Sequence, residues 1–438
     1  MTDEQLAAHV VSGGRLRALL LELWQRTRMD WGFVTDRLAT TFRKEKWVGA
    51  HERRFVGETL YGLVRHARRI DLALARGRKT SRQPRDLERL LALLVIEGLL
   101  PPATAARALP ELDWVAVASV DDAIATERRL EKRIALAASL PDWLAARLVA
   151  DWGDEAEPLA LALNQRAPMT VRANLIGGTR AMVADALAKE HVATHEGKWS
   201  DTALIVDTRT NLFALDAFKR GLMEAQDEGS QLLADVAAAC APPKPLVVDY
   251  CAGAGGKTLA IAARLGNTGR VVATDIDGNK LEELRRRARR AGVTIAQAIS
   301  IDGVAWPPQV DALRRKADVV LVDAPCTGIG ALRRNPEARW RMTEADLDGF
   351  AARQRDILAT ALHLCAPGGR VVYATCSLLR SENQAVVDAV SAVAAVVPLA
   401  DLLGPARAAA LGDGTSLTVT PNRHGTDGFF AQVLTPRA

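Results

Sequence analysis

From residue 246 onward, short apolar runs alternate with segments whose apolar residues have helical spacing. Such runs predict buried strands, and strands that alternate with helices predict a doubly wound parallel sheet. The predicted strands are residues 246–248, 270–275, 296–301, 317–323 and 370–375, and the predicted helices are 258–265, 279–291, 343–364 and one that begins at Ser381. Two late strands, residues 416–420 and 428–434, have no predicted helix between them, and we expect them to form an antiparallel hairpin at the sheet edge.

The N-terminal region has helical spacing throughout, and its clearest element is a single helix predicted over residues 53–75. The apolar residues of this helix fall on one face and four arginines fall on the opposite face. The apolar set is Val56, Leu60, Leu63, Ala67, Ile70 and Leu74, and the arginines are Arg54, Arg65, Arg68 and Arg69. Residues 87–100 are apolar on almost every side, which predicts the buried helix of this region.

The pattern between these two regions is mixed. Residues 170–176 and 203–206 predict strands, and residues 180–190 predict a helix, as in a small α+β module. Prolines at Pro141, Pro242 and Pro243 mark the ends of this part. The sequence therefore predicts an all-helical domain over residues 1–138, an α+β module over 139–240 and an α/β domain over 241–438.

The composition excludes several classes of protein. Of the 438 residues, 49% are hydrophobic and 25% are charged, as in ordinary globular proteins. The polar start argues against a secretory signal, and the longest apolar run, residues 90–100, contains Glu97 and is too short to cross a bilayer. Five cysteines without a close pair indicate a reducing compartment, and no Cys/His group has zinc-site spacing. We therefore expect a cytoplasmic protein that needs neither a membrane nor a metal.

The positive charge is unevenly distributed. The net charge is +5 and the isoelectric point is near 9.0. Residues 36–89 alone contain 15 Lys/Arg and 7 Asp/Glu. Such a concentration is typical of proteins that bind nucleic acid, although a basic surface that faces only solvent has the same sequence signature. If nucleic acid is the partner, the four arginines of the predicted helix should contact phosphates, and the fold should not depend on them.

A glycine-rich turn follows the first predicted strand of the α/β domain. Its sequence, residues 249–258, is Asp-Tyr-Cys-Ala-Gly-Ala-Gly-Gly-Lys-Thr. A P-loop would need glycine where Cys251 stands, and the glycines lack the Gly-x-Gly-x-x-Gly spacing of dinucleotide-binding proteins. S-adenosylmethionine is the third ligand class that binds beyond such a strand, although such a turn can also serve only to join strand and helix.

Polar side chains collect where the predicted parallel strands end, at the edge where open α/β sheets bind their ligands. They are Cys251, Asp275, Asp302, Asp323, Cys326 and Cys376. The acid at the end of the second strand, Asp275, suits ribose hydroxyl groups, although a helix N-cap would explain it equally well.

Two of these side chains, Cys326 and Cys376, are thiols just past neighbouring strand ends. A lone cysteine is usually a small buried hydrophobic residue, but two beside a methyl-donor site indicate chemistry. Carbon 5 of cytosine is too weak a nucleophile to take a methyl group directly, and addition of a thiolate at carbon 6 activates it. A base must then remove the carbon 5 proton, and a carboxyl group such as that of Asp323 could assist at ring nitrogen 3.

These motifs resemble those of the Nol/Nop/Sun family of RNA 5-methylcytosine methyltransferases. The matching stretches are residues 249–258, Asp-Ala-Pro-Cys-Thr-Gly at 323–328, Arg-Arg-Asn-Pro at 333–336, Tyr-Ala-Thr-Cys-Ser at 373–377 and Asp-Gly-Phe-Phe at 427–430. The resemblance covers about residues 140–438 and is greatest to the bacterial RsmB (Sun/Fmu) type. It implies a Rossmann-like class I S-adenosylmethionine-dependent methyltransferase domain, preceded by the α+β module and a NusB-like helical RNA-binding domain, that methylates a cytosine of 16S rRNA.

The resemblance also implies roles for individual residues. Cys376 would be the nucleophile and Cys326 would assist product release, while Asp323, the acid of the fourth motif, would serve both catalysis and cofactor binding. The glycine loop would hold the methionine part of S-adenosylmethionine, and Asp275 and Asp302 would bind its ribose and adenine. The loop residues are Cys251, Ala252, Gly253, Ala254, Gly255, Gly256 and Lys257. The common loop has Ala-Pro where this chain has Gly253-Ala254, which lowers its rigidity.

The expected partner is RNA, either 16S rRNA or an early small-subunit particle, and we expect the protein to be a monomer. Two other functions stay open: an RNA-binding assembly factor with an inactive methyltransferase fold, and a 5-methylcytosine methyltransferase of another RNA such as tRNA. Both cysteines and all three acids are present, which argues against the inactive fold. A DNA cytosine methyltransferase would carry a Glu-Asn-Val motif, which the sequence lacks.

Overall fold

The computed structural model describes residues 1–79 and 82–437. The chain begins with helices only, and a 3-10 turn at Gly153–Glu155 lies between the last two of them. These helices are α1 (Asp3–Ser12), α2 (Gly14–Asp30), α3 (Val34–Lys44), α4 (Ala50–Arg65), α5 (Ala67–Gly77), α6 (Asp86–Ile96), α7 (Pro102–Ala108), α8 (Trp114–Ala118), α9 (Val120–Ala125), α10 (Leu130–Ala137), α11 (Asp142–Trp152) and α12 (Ala156–Ala162).

A small antiparallel sheet follows, and it contains both strands and the helix that the sequence predicts there. Its elements are β1 (Met169–Ala173), α13 (Arg180–Lys189), β2 (Thr194–Glu196), β3 (Ala203–Val206), a 3-10 turn at Leu212–Ala214, α14 (Asp216–Lys219), β4 (Met223–Ala225) and α15 (Glu228–Ala239). The strand order is β2-β3-β1-β4. The sequence analysis missed β2 and β4 because three residues are too few to show an alternating pattern.

The main sheet is doubly wound, as predicted. In chain order its elements are β5 (Leu246–Asp249), α16 (Gly256–Arg264), β6 (Arg270–Asp275), α17 (Gly278–Ala291), β7 (Ala296–Ser300), α18 (Pro308–Asp311), β8 (Ala317–Asp323), a 3-10 turn at Ile329–Ala331, α19 (Ala338–Arg341), α20 (Asp346–Leu362), β9 (Cys365–Thr375), α21 (Gln384–Asp388), β10 (Ala394–Val397), α22 (Leu399–Leu403), α23 (Pro405–Leu411), β11 (Leu417–Val419), α24 (Pro421–His424) and β12 (Phe429–Pro436). The strand order is β10-β12-β9-β8-β5-β6-β7, with β11 paired to β12.

The last strands correct one expectation. β11 and β12 do pair antiparallel, but β12 lies inside the sheet between β9 and β10, and α24 lies between the two strands in the chain. The strand β12 is buried from Phe429 to Leu434, so that it suits an interior position. The edge belongs to β10, which the sequence analysis missed and which leaves Val396 42% exposed.

Two compact units divide the chain. The helical unit comprises Met1–Arg166 and Ala331–Glu344, and the sheet unit comprises Ala167–Gly330 and the chain from Ala345 onward. The helical unit thus includes α19, whose residues lie between β8 and α20 in the sequence. The division into three domains stays a prediction. Among the residues described, none of the helices has the length and hydrophobicity needed to span a membrane.

The helix predicted over residues 53–75 is two helices, α4 and α5, that meet at His66. Its apolar face is buried as predicted, with Val56, Leu60 and Leu74 fully inaccessible. The break follows from a tertiary contact: the backbone N–H of Arg69 donates to the hydroxyl of Ser139 (3.0 Å) instead of continuing the helical pattern. Helical spacing in the sequence cannot reveal such a contact.

The four arginines on the opposite face do not form a free basic surface. Arg54 donates to Asp3, Arg65 to the carbonyl of Arg333, Arg68 to Asp142 and the carbonyl of Leu140, and Arg69 to Asp121. All of these partners belong to the helical unit. The expectation that the fold does not depend on this stripe is therefore wrong for Arg65, Arg68 and Arg69, which tie distant segments of the unit together.

Candidate active site

The parallel register of the main sheet brings two of the predicted acids, Asp275 and Asp323, to one edge together with Asp249, which the sequence analysis did not single out; the third predicted acid, Asp302, lies two residues beyond the end of β7. β5 pairs with β6 and β8, and β8 pairs with β9, so that Asp249, Asp275 and Asp323 all end strands at the carboxyl edge. Cys376 is the first residue after β9, and Cys326 lies in the loop after β8. The sequence argument from strand ends is confirmed in this respect.

The glycine loop between β5 and α16 leaves space for a ligand. Gly253 and Gly255 have φ angles of +53° and +83°, which favour glycine. A Cβ atom on Gly255 would lie 2.5 Å from Leu284 Cγ, whereas one on Gly253 would meet nothing within 4 Å. The backbone N–H of Gly253 donates to Asp275 Oδ2 (2.8 Å), which ties the loop to the end of β6. The loop is therefore held by Asp275 at the end of β6, and the space beside Gly253 is open.

A buried carboxyl group lies beneath this loop. Asp249 is inaccessible, and its Oδ2 accepts a hydrogen bond from Thr258 Oγ1 (2.6 Å). Its Oδ1 has no hydrogen-bond partner within the part of the chain that the structure describes. Burial raises the pKa of Asp249 to about 6, against the hydrogen bond from Thr258. An acceptor left without a donor in this position suits a ligand that carries an amine or a hydroxyl group.

Two further acids stand beside exposed apolar residues. Asp275 precedes Ile276, which is 70% exposed, and Asp302 is followed two residues later by Val304, which is 93% exposed. Polar groups next to an uncovered apolar surface are typical of sites for a nucleoside. Together with the open loop and the lone oxygen of Asp249, they fit S-adenosylmethionine. Asp275 and Asp302 also accept backbone hydrogen bonds in their own turns, as capping acids do.

The two candidate catalytic cysteines lie side by side. Their Sγ atoms are 3.4 Å apart, and both side chains are half-buried. The backbone N–H of Gly330 donates to the carbonyl of Cys376 (2.9 Å), and a side chain on Gly330 would collide with Gly428. The hydrogen bond to Cys376 and burial raise the pKa of Cys326 well above its ordinary value. The two thiols are therefore close enough to share one hydrogen bond, in which either sulfur can be the donor.

Lys257 contributes to this thiol end of the site. Its Nζ donates to Asp323 Oδ2 (2.6 Å), and the lysine side chain is only 12% exposed. Burial disfavours the charged amine, but Asp323 and Cys376 outweigh it and raise the pKa of Lys257 above its usual value. The sequence analysis placed Lys257 in the cofactor loop, and only the fold shows that its amine is directed to Asp323.

Sequence analysis missed a polar cluster around Glu382, which lies in the turn before α21. Thr327, Ser377 and Gln354 donate hydrogen bonds to this carboxyl group, and all four side chains are buried. The run Ser-Glu-Asn-Gln at 381–384 looks like the exposed start of a helix, so no signal in the sequence marks Glu382 as buried. Within the described ranges, no group of three His, Cys, Asp or Glu side chains could hold a metal ion.

Comparison with known proteins decides the family. Residues 240–435 match the family model "16S rRNA methyltransferase RsmB/F", and residues 140–212 match its ferredoxin-like domain. The ribosomal RNA small subunit methyltransferase B of Xanthomonas campestris pv. campestris is 30% identical over 402 residues, which cover 87% of this chain and 89% of that protein. The chain belongs to the RsmB/F family of 16S rRNA methyltransferases. It is therefore an rRNA methyltransferase of a family that uses S-adenosylmethionine.

Solved structures confirm the predicted fold class of this RsmB/F protein. The crystal structure of PH0851 has a TM-score of 0.74 at 24% identity and covers 95% of this chain and 97% of its own. A methyltransferase homologue from Pyrococcus horikoshii has a TM-score of 0.58 at 24% identity, with coverage of 70% and 98%. The sheet unit accordingly has the Rossmann-like class I methyltransferase fold, with an α+β module and a NusB-like helical region before it.

Proposed function

We propose that the protein methylates carbon 5 of a cytosine in small-subunit ribosomal RNA, through a covalent bond between Cys376 and carbon 6 of the base. The observation that carries the proposal is the pair of thiols 3.4 Å apart at the carboxyl edge of the sheet, beside the Lys257–Asp323 pair. A methyltransferase that acts on a nitrogen or an oxygen atom needs no thiol pair, whereas carbon 5 of cytosine must first be activated.

The surroundings favour Cys376 as the nucleophile. The amine of Lys257 lies close enough to Cys376 for the two to interact. Cys326, whose pKa is raised, remains a thiol that can donate its S–H to the neighbouring sulfur. We therefore assign the attack to Cys376 and the assisting role to Cys326, as the family resemblance implies.

The remaining groups serve the ring and the donor. S-adenosylmethionine supplies an electrophilic methyl group, and the loop from Cys251 to Lys257, with Asp249, Asp275 and Asp302, would hold it. The Lys257–Asp323 pair can hydrogen-bond to ring nitrogen 3 while Cys376 adds to carbon 6. A base must then take the carbon 5 proton, and the electron pair left behind restores the double bond and expels Cys376 as a thiolate. Cys326 is placed to assist this release, because its sulfur lies beside the leaving sulfur.

Trapping the covalent adduct tests this proposal. Cys326→Ala should form a slow-migrating protein–RNA band on a denaturing gel with labelled RNA and S-adenosylmethionine, because attack is intact and release is impaired. Cys376→Ala should give no band and no methylation. Cys240→Ala, which removes a free thiol from the end of α15, is the matched control and should behave like the unchanged protein.

Two outcomes would change the proposal. A band from Cys376→Ala and none from Cys326→Ala would exchange the roles of the two cysteines. Full methylation by both variants, with no adduct from either, would exclude thiol catalysis.

A further inference from the structure

The most completely hydrogen-bonded buried charge near the thiols is the carboxyl group of Glu382. Its side chain is fully inaccessible and accepts four hydrogen bonds. Oε1 accepts from the backbone N–H of Thr327 (2.9 Å) and from Gln354 Nε2 (3.0 Å). Oε2 accepts from Thr327 Oγ1 (2.5 Å) and from Ser377 Oγ. None of these donors carries a charge, so the carboxyl group is not half of an ion pair with any of them.

The donors are distributed in a specific way along the chain. Thr327 directly follows Cys326, and Ser377 directly follows Cys376. Gln354 Nε2 also donates to the carbonyl of Pro325 (3.0 Å), the residue before Cys326. One carboxyl group therefore holds both thiol-bearing loops, through residues adjacent to each cysteine.

Burial of an ionised carboxyl group is costly, and neutral side chains could join two loops at less cost. Hydrogen bonds to a charged acceptor are shorter and more directional than neutral ones, so they fix the positions of their donors more closely. Because the donors Thr327 and Ser377 adjoin the two cysteines, these hydrogen bonds also fix the distance between the two Sγ atoms. Glu382 does not reach the reacting atoms itself, because its two oxygens are engaged with Thr327, Ser377 and Gln354.

We propose that Glu382 is a positioning residue that fixes the separation of the Cys326 and Cys376 sulfurs through Thr327 and Ser377. This inference rests on the proposed function, in which both thiols act on one base. Because Glu382 acts only on the thiols, its loss should lower kcat and leave the KM for RNA almost unchanged.

Steady-state methyl transfer from labelled S-adenosylmethionine tests the kinetic part. Glu382→Ala should lower kcat by at least about tenfold with the KM for RNA changed by less than about twofold. Glu382→Gln should fall in between, because its remaining oxygen can still accept from Thr327 N–H. Thr327→Val and Ser377→Ala each remove one hydroxyl donor and should give smaller losses. Asp388→Ala, which removes an exposed carboxyl group on the next helix, is the matched control and should leave kcat unchanged.

A second measurement needs neither RNA nor the methyl donor. In a glutathione redox buffer, the two thiols can give two electrons and two protons to oxidised glutathione, forming one disulfide and two molecules of reduced glutathione. The equilibrium constant reports how well the sulfurs are placed, and alkylation followed by mass spectrometry measures it. Glu382→Ala should lower this constant by at least about tenfold, and Asp388→Ala should not change it.

The two measurements test the positioning role of Glu382 separately from the proposed methylation of cytosine. All rates are expressed per S-adenosylmethionine-binding site, so that misfolded protein does not count. An unchanged kcat and an unchanged disulfide equilibrium in Glu382→Ala would overturn the positioning role while cytosine methylation stands. A tenfold drop in the disulfide equilibrium would support the positioning role even if the adduct experiment failed. A raised KM with an unchanged kcat would contradict it, because Glu382 would then act on RNA binding.

Discussion

Glu382 in the sheet unit and Arg339 in the helical unit are both completely buried, and their hydrogen-bonding capacity is satisfied very differently. Glu382 in the sheet unit accepts four hydrogen bonds on two oxygens. Arg339 in the helical unit donates through Nη1 to the carbonyl of Ala138 (2.8 Å) and to Asn164 Oδ1 (2.7 Å), but its Nε and Nη2 have no partner among the described residues. The fully bonded side chain holds the residues next to the thiols, and the incompletely bonded one belongs to the helical unit.

The surroundings of Arg339 sharpen this difference. Burial and the charge of Arg65 together lower the pKa of Arg339 to about 9, although Glu337 acts to raise it. The guanidinium stays charged at neutral pH but gains little from its position. We infer that Glu382 serves to fix the positions of Thr327 and Ser377 beside the two cysteines. Arg339 serves mainly to anchor the segment 331–344 in the helical unit through its long side chain.

The largest effect should come from replacing Glu382 by an apolar residue of similar volume. Glu382→Leu leaves the N–H and hydroxyl of Thr327, the hydroxyl of Ser377 and an amide N–H of Gln354 without their acceptor. We expect the sheet unit to lose about 3–5 kcal/mol of stability. Hydrogen exchange with mass spectrometry, which follows each unit separately, measures the loss. A loss below about 1 kcal/mol would mean that the cluster is not a rigid support.

The corresponding change in the helical unit should cost much less. Arg339→Met keeps an unbranched side chain and removes a charge that has two unbonded N–H groups. The carbonyl of Ala138 keeps its hydrogen bond from Asn164 Nδ2 (2.8 Å), so that the main loss is the short bond to Asn164 Oδ1, together with the longer contacts to the carbonyls of Ser139 and Arg65. We expect a loss of about 1–2 kcal/mol in the helical unit, by the same exchange measurement. A loss equal to that of Glu382→Leu would remove the contrast between the two charges.

A smaller effect concerns the histidine beside Arg339. Burial, with the charges of Arg69, Arg65 and Arg339, lowers the pKa of His66 to about 3. Between pH 6.5 and pH 3 the unfolded chain binds a proton that folded His66 refuses, so the helical unit loses stability as pH falls through this window. His66→Gln should flatten this part of the pH dependence of unfolding. An unchanged slope would show that His66 has the same pKa in the folded and unfolded states and would contradict this account.

The sequence revealed the polar ends of the strands because the apolar runs of β6 and β8 each stop at an aspartate. Asp275 and Asp323 end their strands as predicted. The distance between Cys326 and Cys376 could not be predicted, since it depends on how β8 and β9 pair and on the contact between Gly330 and Cys376. The same holds for Lys257, whose neighbour Asp323 is 66 residues away.

The helical unit was harder to predict, for a physical reason that Arg65 and Arg69 illustrate. Both lie on the polar face of a helical pattern, and such residues usually face solvent. In the structure Arg65 donates to the carbonyl of Arg333, and Arg69 to Asp121, and neither partner is near in sequence. Periodicity shows which face is apolar, but it does not show which segment covers the polar face. Glu382 escaped notice for the same reason.

The central claim is that the thiol pair methylates carbon 5 of cytosine in small-subunit rRNA. The most direct test incubates the full-length protein with 16S rRNA from a strain that lacks it and with S-adenosylmethionine labelled in the methyl group. The RNA is then digested to nucleosides and analysed by mass spectrometry. The account predicts labelled 5-methylcytidine from the unchanged protein and none from Cys376→Ala. Label in any other nucleoside, or equal 5-methylcytidine from Cys376→Ala, would contradict it.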